Sequence, residues 1–187
     1  INTFAQNNNI YYNLLFANSY PNATETIRAC FYGLFNYMES TKILNYLLLF
    51  ASGFYVYYFF NLKLNKFKSL LLTLSTILCS VAICQINTKM VDFAIYFLFL
   101  FQILSLLLIK KGKVHNTVFI MSSILSIAVK YTGLLNTSII LFLYLIFYRK
   151  KALKNILIIC FSGLILCFQP YITNIIKFKN PFYPSLG

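Results

Sequence analysis

The chain has 187 residues, 60% of them hydrophobic and 10% charged, with sixteen Lys and Arg against three Asp and Glu. A soluble domain holds about 25% charged residues, so this composition excludes an ordinary water-soluble fold and points to a bilayer. The net charge of +13 would suit a nucleic-acid binder, but the basic residues fall in short clusters between apolar runs, which is the pattern that orients membrane helices.

Both ends are abrupt. The chain opens on Ile1 without the basic and apolar regions of a secretory leader and closes on "NPFYPSLG", so it reads as a single transmembrane domain truncated at both ends. Residues 1–41 form a first segment outside the apolar runs. Within it Pro21, Asn22 and Glu25 make a capping-box-like start. Ile27, Cys30, Phe31, Leu34, Phe35 and Met38 then recur on one face, predicting an amphipathic helix over about 23–38. It is too short and too polar on its other face to span, and is expected to lie along the membrane surface; packing on a further soluble domain is the alternative.

Six apolar runs follow, over about 42–60, 69–84, 92–109, 115–129, 133–148 and 155–172, each near the length of about 20 residues that a spanning helix needs. The fourth and fifth are short. The expected class is therefore an all-α polytopic membrane protein, a surface helix followed by about six transmembrane helices. The 173–187 tail contains "NPFYP", whose prolines predict an extended or turning segment.

Charge placement sets the sidedness. Lys63, Lys66 and Lys68 follow the first run, Lys110, Lys111 and Lys113 the third, and Arg149, Lys150, Lys151 and Lys154 the fifth. These ten are expected in cytoplasmic loops. Glu25, Glu39, Asp92, the remaining six basic residues and the tail then share the extracytoplasmic side. The five cysteines include no C-x-x-C pair and have one histidine to accompany them, so they read as small buried apolar residues and no metal site is expected from them. No Walker loop, dinucleotide fingerprint or HExxH occurs.

Two ionisable residues stand at helix ends on the outer side. Asp92 opens the third run behind Gln85 and Lys89; as a helix N-terminal acid it meets the macrodipole, and it could equally be a surface partner of Lys89. Lys130 lies in the turn between the two short runs, with Gly133 allowing a tight turn. Snorkelling to the interface accounts for it; so does binding an anionic headgroup.

The stretches "LSIAVKYTGLLNTSIILFLYLIFYRKK" and "QINTKMVDFAIYFLFLFQILSLL" resemble, respectively, the hairpin lysine and the second acidic position of membrane-embedded type C glycosyltransferases. This group contains the protein mannosyltransferases and the lipid A aminoarabinose transferase. "KNPFYP" and "SYPNATETI" are similar to the N-P-x-Y-P and Y-P-x-x-x-E segments of a bacterial branch of these proteins.

The resemblance implies an integral, multi-pass protein of the bacterial cytoplasmic membrane. It would transfer a sugar from a polyprenyl-phosphate donor to a lipid, glycan or protein acceptor on the extracytoplasmic face. Asp92 and Lys130 would be the catalytic pair: Asp92 positions acceptor, sugar or a bound divalent cation, and Lys130 neutralises the departing phosphate. Glu25, Gln85, Lys89, Asn180 and Tyr183 would line the substrate site. No Asp or Glu precedes Glu25, so the family's principal acid is expected upstream. The rival readings are a transporter or flippase of lipid-linked saccharides, which would favour a polar cluster at mid-bilayer, and an O-antigen polymerase-like enzyme, which would carry a large arginine-bearing outer loop.

Overall fold

The computed structural model describes residues 23–87, 91–166 and 169–181, and every regular element in them is helical. In chain order these are α1 (Ala23–Phe35), a 3-10 turn (Met38–Lys42), α2 (Ile43–Asn61), α3 (Lys66–Ile77), α4 (Ser80–Gln85), α5 (Asp92–Leu108), a second 3-10 turn (Ile109–Lys111), α6 (Lys113–Val129), α7 (Tyr131–Tyr148), α8 (Lys150–Leu166) and α9 (Gln169–Phe178).

Three stretches are long and apolar enough to cross a membrane: Glu39–Asn61 with 23 residues, Asp92–Lys111 with 20 and Tyr131–Tyr148 with 18. They coincide with the first, third and fifth expected runs. The fourth run appears as α6, apolar but 17 residues long. The second run is not a continuous helix. The run over 69–84 is interrupted at Leu78 and Cys79, where the backbone leaves helical geometry. No Gly or Pro marks this break. Hydroxyls load the preceding turns instead: Ser75 and Thr76 both donate to the Leu72 carbonyl, at 2.9 and 2.8 Å, a local competition that weakens helix continuation. The run over 155–172 falls on α8 and α9, with 167 and 168 outside the described residues, and α9 carries helix into 173–178, which the sequence assigns to a tail. Lys179 and Asn180 then leave the helix, and Pro181 turns.

The distribution of side chains is compatible with an integral membrane protein. Phe50, Phe54, Phe142, Phe147 and Phe161 face outward, whereas Ser52, Ser69, Gln102, Ser105, Ser123, Ser126 and Thr137 are buried. Apolar solvent gives no reason to hide phenylalanine, and small polar residues let helix backbones approach and bond across the interface. Among the described residues the cysteines correct the expectation of burial: Cys30, Cys84 and Cys160 are exposed and Cys79 is half-buried, while Cys167 lies outside them.

Helix α5 occupies the centre, with Phe93, Ala94, Phe97 and Gln102 fully enclosed. It packs against α2, α6 and α7. Gln102 donates to Thr137 Oγ1 at 3.0 Å on α7 and to the Ser122 carbonyl at 3.3 Å on α6, so one amide holds three helices together at mid-length.

Helices α6 and α7 form a hairpin around the single extended residue Lys130, at φ −165° and ψ 158°. Its carbonyl accepts from the Gly133 amide at 2.9 Å, which starts α7 at once. Gly133 itself is helical and does not make the turn. Its role is close approach: a Cβ at this position would stand 2.0 Å from the Ser126 carbonyl oxygen.

The charged groups separate to the two ends of the bundle. His115 bonds Tyr55 Oη through Nδ1 at 2.8 Å and stacks on Tyr58, joining the start of α6 to the end of α2. Lys110 lies 5.6 Å from the centroid of the Tyr148 ring, and Tyr148 Oη donates to the Leu106 carbonyl at 3.3 Å. The lysines of the α2–α3, α5–α6 and α7–α8 connections therefore share one end, and the three carboxylates share the other.

Substituting Gly133→Ala forces the Ser126 backbone to move and is expected to destabilise the protein by about 1–3 kcal/mol, the ordinary cost of overpacking. Gly33→Ala, with nothing within 4 Å of the added carbon, should be neutral or stabilising by up to about 1 kcal/mol. Thermal unfolding of both variants in one detergent makes the comparison, and equal effects would refute the role given to Gly133.

Candidate functional site at the acidic end

Asp92 is the first residue of α5, at the end whose free amides favour an anion. Lys130 lies between the C-terminus of α6 and the N-terminus of α7, and the hairpin projects its chain toward the start of α5. The two meet: Lys130 Nζ donates to Asp92 Oδ1 at 2.8 Å across 38 residues of sequence. Their side chains remain 37% and 50% exposed, respectively. An ion pair this open contributes about 0–1 kcal/mol to folding, so the fold does not depend on it. The partner of Asp92 among the described residues is thus Lys130; Lys89, which one reading of the sequence offered, lies outside them.

A second polar group, which sequence reasoning missed, braces this end. Arg28 on α1 is buried, and its Nη2 donates to Asn45 Oδ1 on α2 at 3.0 Å. Asn45 Nδ2 donates in turn to the carbonyls of Ile86 at 3.0 Å and Gln85 at 3.5 Å. One asparagine thus ties α1 to the connection that leads into Asp92. Tyr46 Oη adds a 2.7 Å bond to Asn87 Oδ1 in the same connection. Burial pushes the Arg28 guanidinium below its ordinary pKa, and the nearby Glu25 partly opposes that shift. Sequence gave a faint signal: Arg28 stands one helical turn after Thr24, and these two form the buried side of α1.

The consequence for α1 is an orientation opposite to that of a soluble amphipathic helix. Thr24 and Arg28 face the protein, while Leu34 and Phe35 are 76% and 60% exposed. Of the stripe read from the sequence, Cys30, Leu34 and Phe35 are exposed and Ile27 and Phe31 half-buried, and the helix ends at Phe35, short of the expected 38.

The other expected lining residues divide. Glu25 accepts from Thr24 Oγ1 at 2.8 Å on the first turn of α1. Gln85 is half-buried at the end of α4 and enters the brace through its backbone. Asn180 precedes Pro181, whose carbonyl accepts from Asn174 Nδ2 at 3.3 Å; the same Nδ2 reaches Tyr131 Oη at 2.9 Å. Tyr171 Oη donates to the Ile127 carbonyl at 3.2 Å, so α9 is seated on the hairpin tip and brings 180–181 beside the residue that follows Lys130. Lys89, Tyr183 and Asn22 lie outside the described residues.

Among the described residues no group of three or more His, Cys, Asp or Glu stands close enough to hold a metal ion. Asp92 is the single carboxylate of the pair and is already engaged by a cation, so the site does not fit a protein-held divalent ion. The arrangement offers one exchangeable positive charge, one carboxylate and, alongside, a tyrosine and amide cluster. Comparison with family models, curated proteins and solved structures found no match.

Replacing Asn45 by Leu removes the amide from Arg28 inside the protein. The loss of a hydrogen bond to a buried charge is expected to cost about 1.5–3 kcal/mol. In a double-mutant cycle with Arg28→Met the second change should cost markedly less than it does alone, and strictly additive unfolding midpoints would disprove the coupling.

Proposed function

We propose that this chain is part of a membrane-embedded glycosyltransferase that moves a sugar from a polyprenyl-phosphate carrier to an acceptor at the extracytoplasmic face of a bacterial cytoplasmic membrane. The observation that carries the reading is the exposed Asp92–Lys130 pair, two residues distant in sequence that meet at the rim of the bundle and that the fold does not need for its stability. In this reading the remaining apolar helices also cross, giving about six spans, with the lysine-rich end in the cytoplasm and the carboxylate end outside. The sign of the clusters supports that orientation.

The chemistry assigned to the pair is an exchange of partners. A carrier phosphate arriving at the rim takes Lys130 from Asp92, and the released carboxylate orients the acceptor hydroxyl or the sugar. The acceptor oxygen bonds to the anomeric carbon as the bond from that carbon to the phosphate oxygen breaks, with inversion. The electron pair leaves on the polyprenyl phosphate, where Lys130 offsets the developing charge. The hydroxyl proton passes to a base that the resemblance puts in an outer loop upstream of Glu25. No step is assigned to a metal ion. The apolar groove of about 520 Å³ between α2 and α3, lined by Phe50, Phe54, Leu70 and Leu74, suits an acyl or isoprenoid chain.

A transporter of lipid-linked saccharides is the second reading, and one observation favours it: the buried polar group of Gln102, Ser122 and Thr137 at mid-length. It contains no ionisable residue, and none of its members lines either of the two described cavities. That makes it interhelical adhesive rather than a carried substrate's site.

Sidedness is tested by placing single cysteines at Asn87 and Lys111 in a cysteine-free background and labelling intact cells with a membrane-impermeant maleimide. Only position 87 should react before lysis; labelling of 111 alone would invert the topology and end the proposal. Catalysis is tested in the full-length protein. Lys130→Ala should lower sugar transfer by about a hundredfold or more while shifting stability by no more than about 1 kcal/mol. The exchanged variant Asp92→Lys with Lys130→Asp can re-form the pair, yet is expected to stay inactive. Transfer at the original rate in that variant would show the pair to be a structural contact.

A further inference from the structure

The opposite end of the bundle carries a feature that the glycosyltransferase reading does not use. A cavity of about 900 Å³ opens where α6, α7 and α8 meet the second 3-10 turn, and Lys110, Lys113 and Lys154 stand around it. All three are exposed. The chain has three Asp and Glu in all, Glu25, Glu39 and Asp92. Glu39 is paired with Lys42, Asp92 with Lys130, and Glu25 lies on α1 beside Arg28. No carboxylate side chain is therefore left to balance the cavity's charge.

The floor is a built polar surface. Asn155 is 7% exposed and Tyr144 2% exposed; Asn155 donates to Tyr144 Oη at 2.7 Å and to Asn116 Oδ1, and Asn116 answers with a 3.5 Å bond to Asn155 Oδ1. This network fixes α6, α7 and α8 around the opening, so the lysines are carried on a rigid frame. Lys110 is further oriented by its position over the Tyr148 ring. The α6 N-terminus, capped by no side chain, begins at Gly112 and Lys113 on the cavity wall and adds free amides of the same polarity as the lysines. Three cations on amphipathic stems, a hydrogen-bonding floor and an apolar flank reaching Ile109 and Ile158 match an oxyanion with an attached hydrocarbon.

We propose that this cavity is a phosphate-binding site that holds the phosphate of an acidic lipid headgroup, or the same group free in solution, between Lys110, Lys113 and Lys154. Basic recesses between membrane helices bind anionic headgroups by this combination of charge and shape. The site is independent of the Asp92–Lys130 pair and does not rest on the transferase reading.

The test is native mass spectrometry of the full-length protein in neutral detergent, titrated with dioleoyl-phosphatidylglycerol and, in a second arm, with inorganic pyrophosphate. The protein should retain one phosphatidylglycerol tightly. The triple variant Lys110→Gln, Lys113→Gln, Lys154→Gln should bind it about tenfold more weakly or less still. A control that removes the same charge from exposed positions of the α2–α3 connection, Lys63→Gln, Lys66→Gln, Lys68→Gln, should bind as the parent does. Displacement of the lipid by pyrophosphate would identify the phosphate group itself as sufficient; failure to displace it would assign the site to the lipid. Equal loss in both triple variants would reduce the effect to general surface charge and overturn the proposal, as would unchanged binding in the first. All six substituted lysines are exposed, and far-UV circular dichroism verifies that each variant keeps its helices.

Discussion

Lys130 reaches Asp92 because two helices are allowed to touch at their backbones. The hydrogen on Cα of residue 133 lets the first turn of α7 press on the carbonyl of Ser126, and Ser126 Oγ returns a 3.3 Å bond to the Gly133 carbonyl. With α6 and α7 held that close, one extended residue suffices to join them, and that residue is the lysine. A longer connection would let its side chain wander. The start of α5 is fixed independently, by Phe93 and Ala94 enclosed in the centre of the bundle. The pair is thus positioned by packing on both sides and held only weakly by its own attraction, an arrangement that leaves it free to exchange partners.

Asn45 performs a related task on the other side of the same rim. It sits on α2 where the chain enters the bundle, accepts from a buried guanidinium and donates to two backbone carbonyls. Those carbonyls precede the connection into α5. Helix α1, the first long helix and the approach to Asp92 are joined through one amide. The hairpin tip is joined separately, through Asn174 and Tyr131. The acidic end is therefore assembled from polar side chains, and the central length of the bundle from apolar ones interleaved with Gln102 and small hydroxyl residues such as Ser122 and Thr137.

Reading the sequence recovered what depends on composition and run length. Lysine clusters and apolar stretches placed the three long helices, the hairpin and the separation of charge, since each is a property of many residues together. Asp92 and Lys130 were each conspicuous as isolated charges at helix ends, but their meeting depends on how α5 packs beside the hairpin, which no local pattern encodes. Arg28 and Asn45 escaped notice for a different reason. An arginine on an amphipathic helix ordinarily belongs to the wet face, and an asparagine near the start of a span is ordinarily tolerated rather than required. The break at Leu78 and Cys79 was hidden because proline and glycine are the usual signs of interruption, whereas hydroxyl side chains work by accumulation. Cysteine burial was misjudged by applying the logic of a soluble core to a protein whose outside is itself apolar.

The inward placement of Arg28 bears on how α1 is held. An ordinary interfacial helix rolls about its axis until bilayer and water are best satisfied, so its azimuth follows the membrane. Here a roll would draw the guanidinium off Asn45, and the azimuth belongs to the protein. A displacement of α1 is then passed through Asn45 to the carbonyls of Gln85 and Ile86, at the start of the segment that leads toward Asp92.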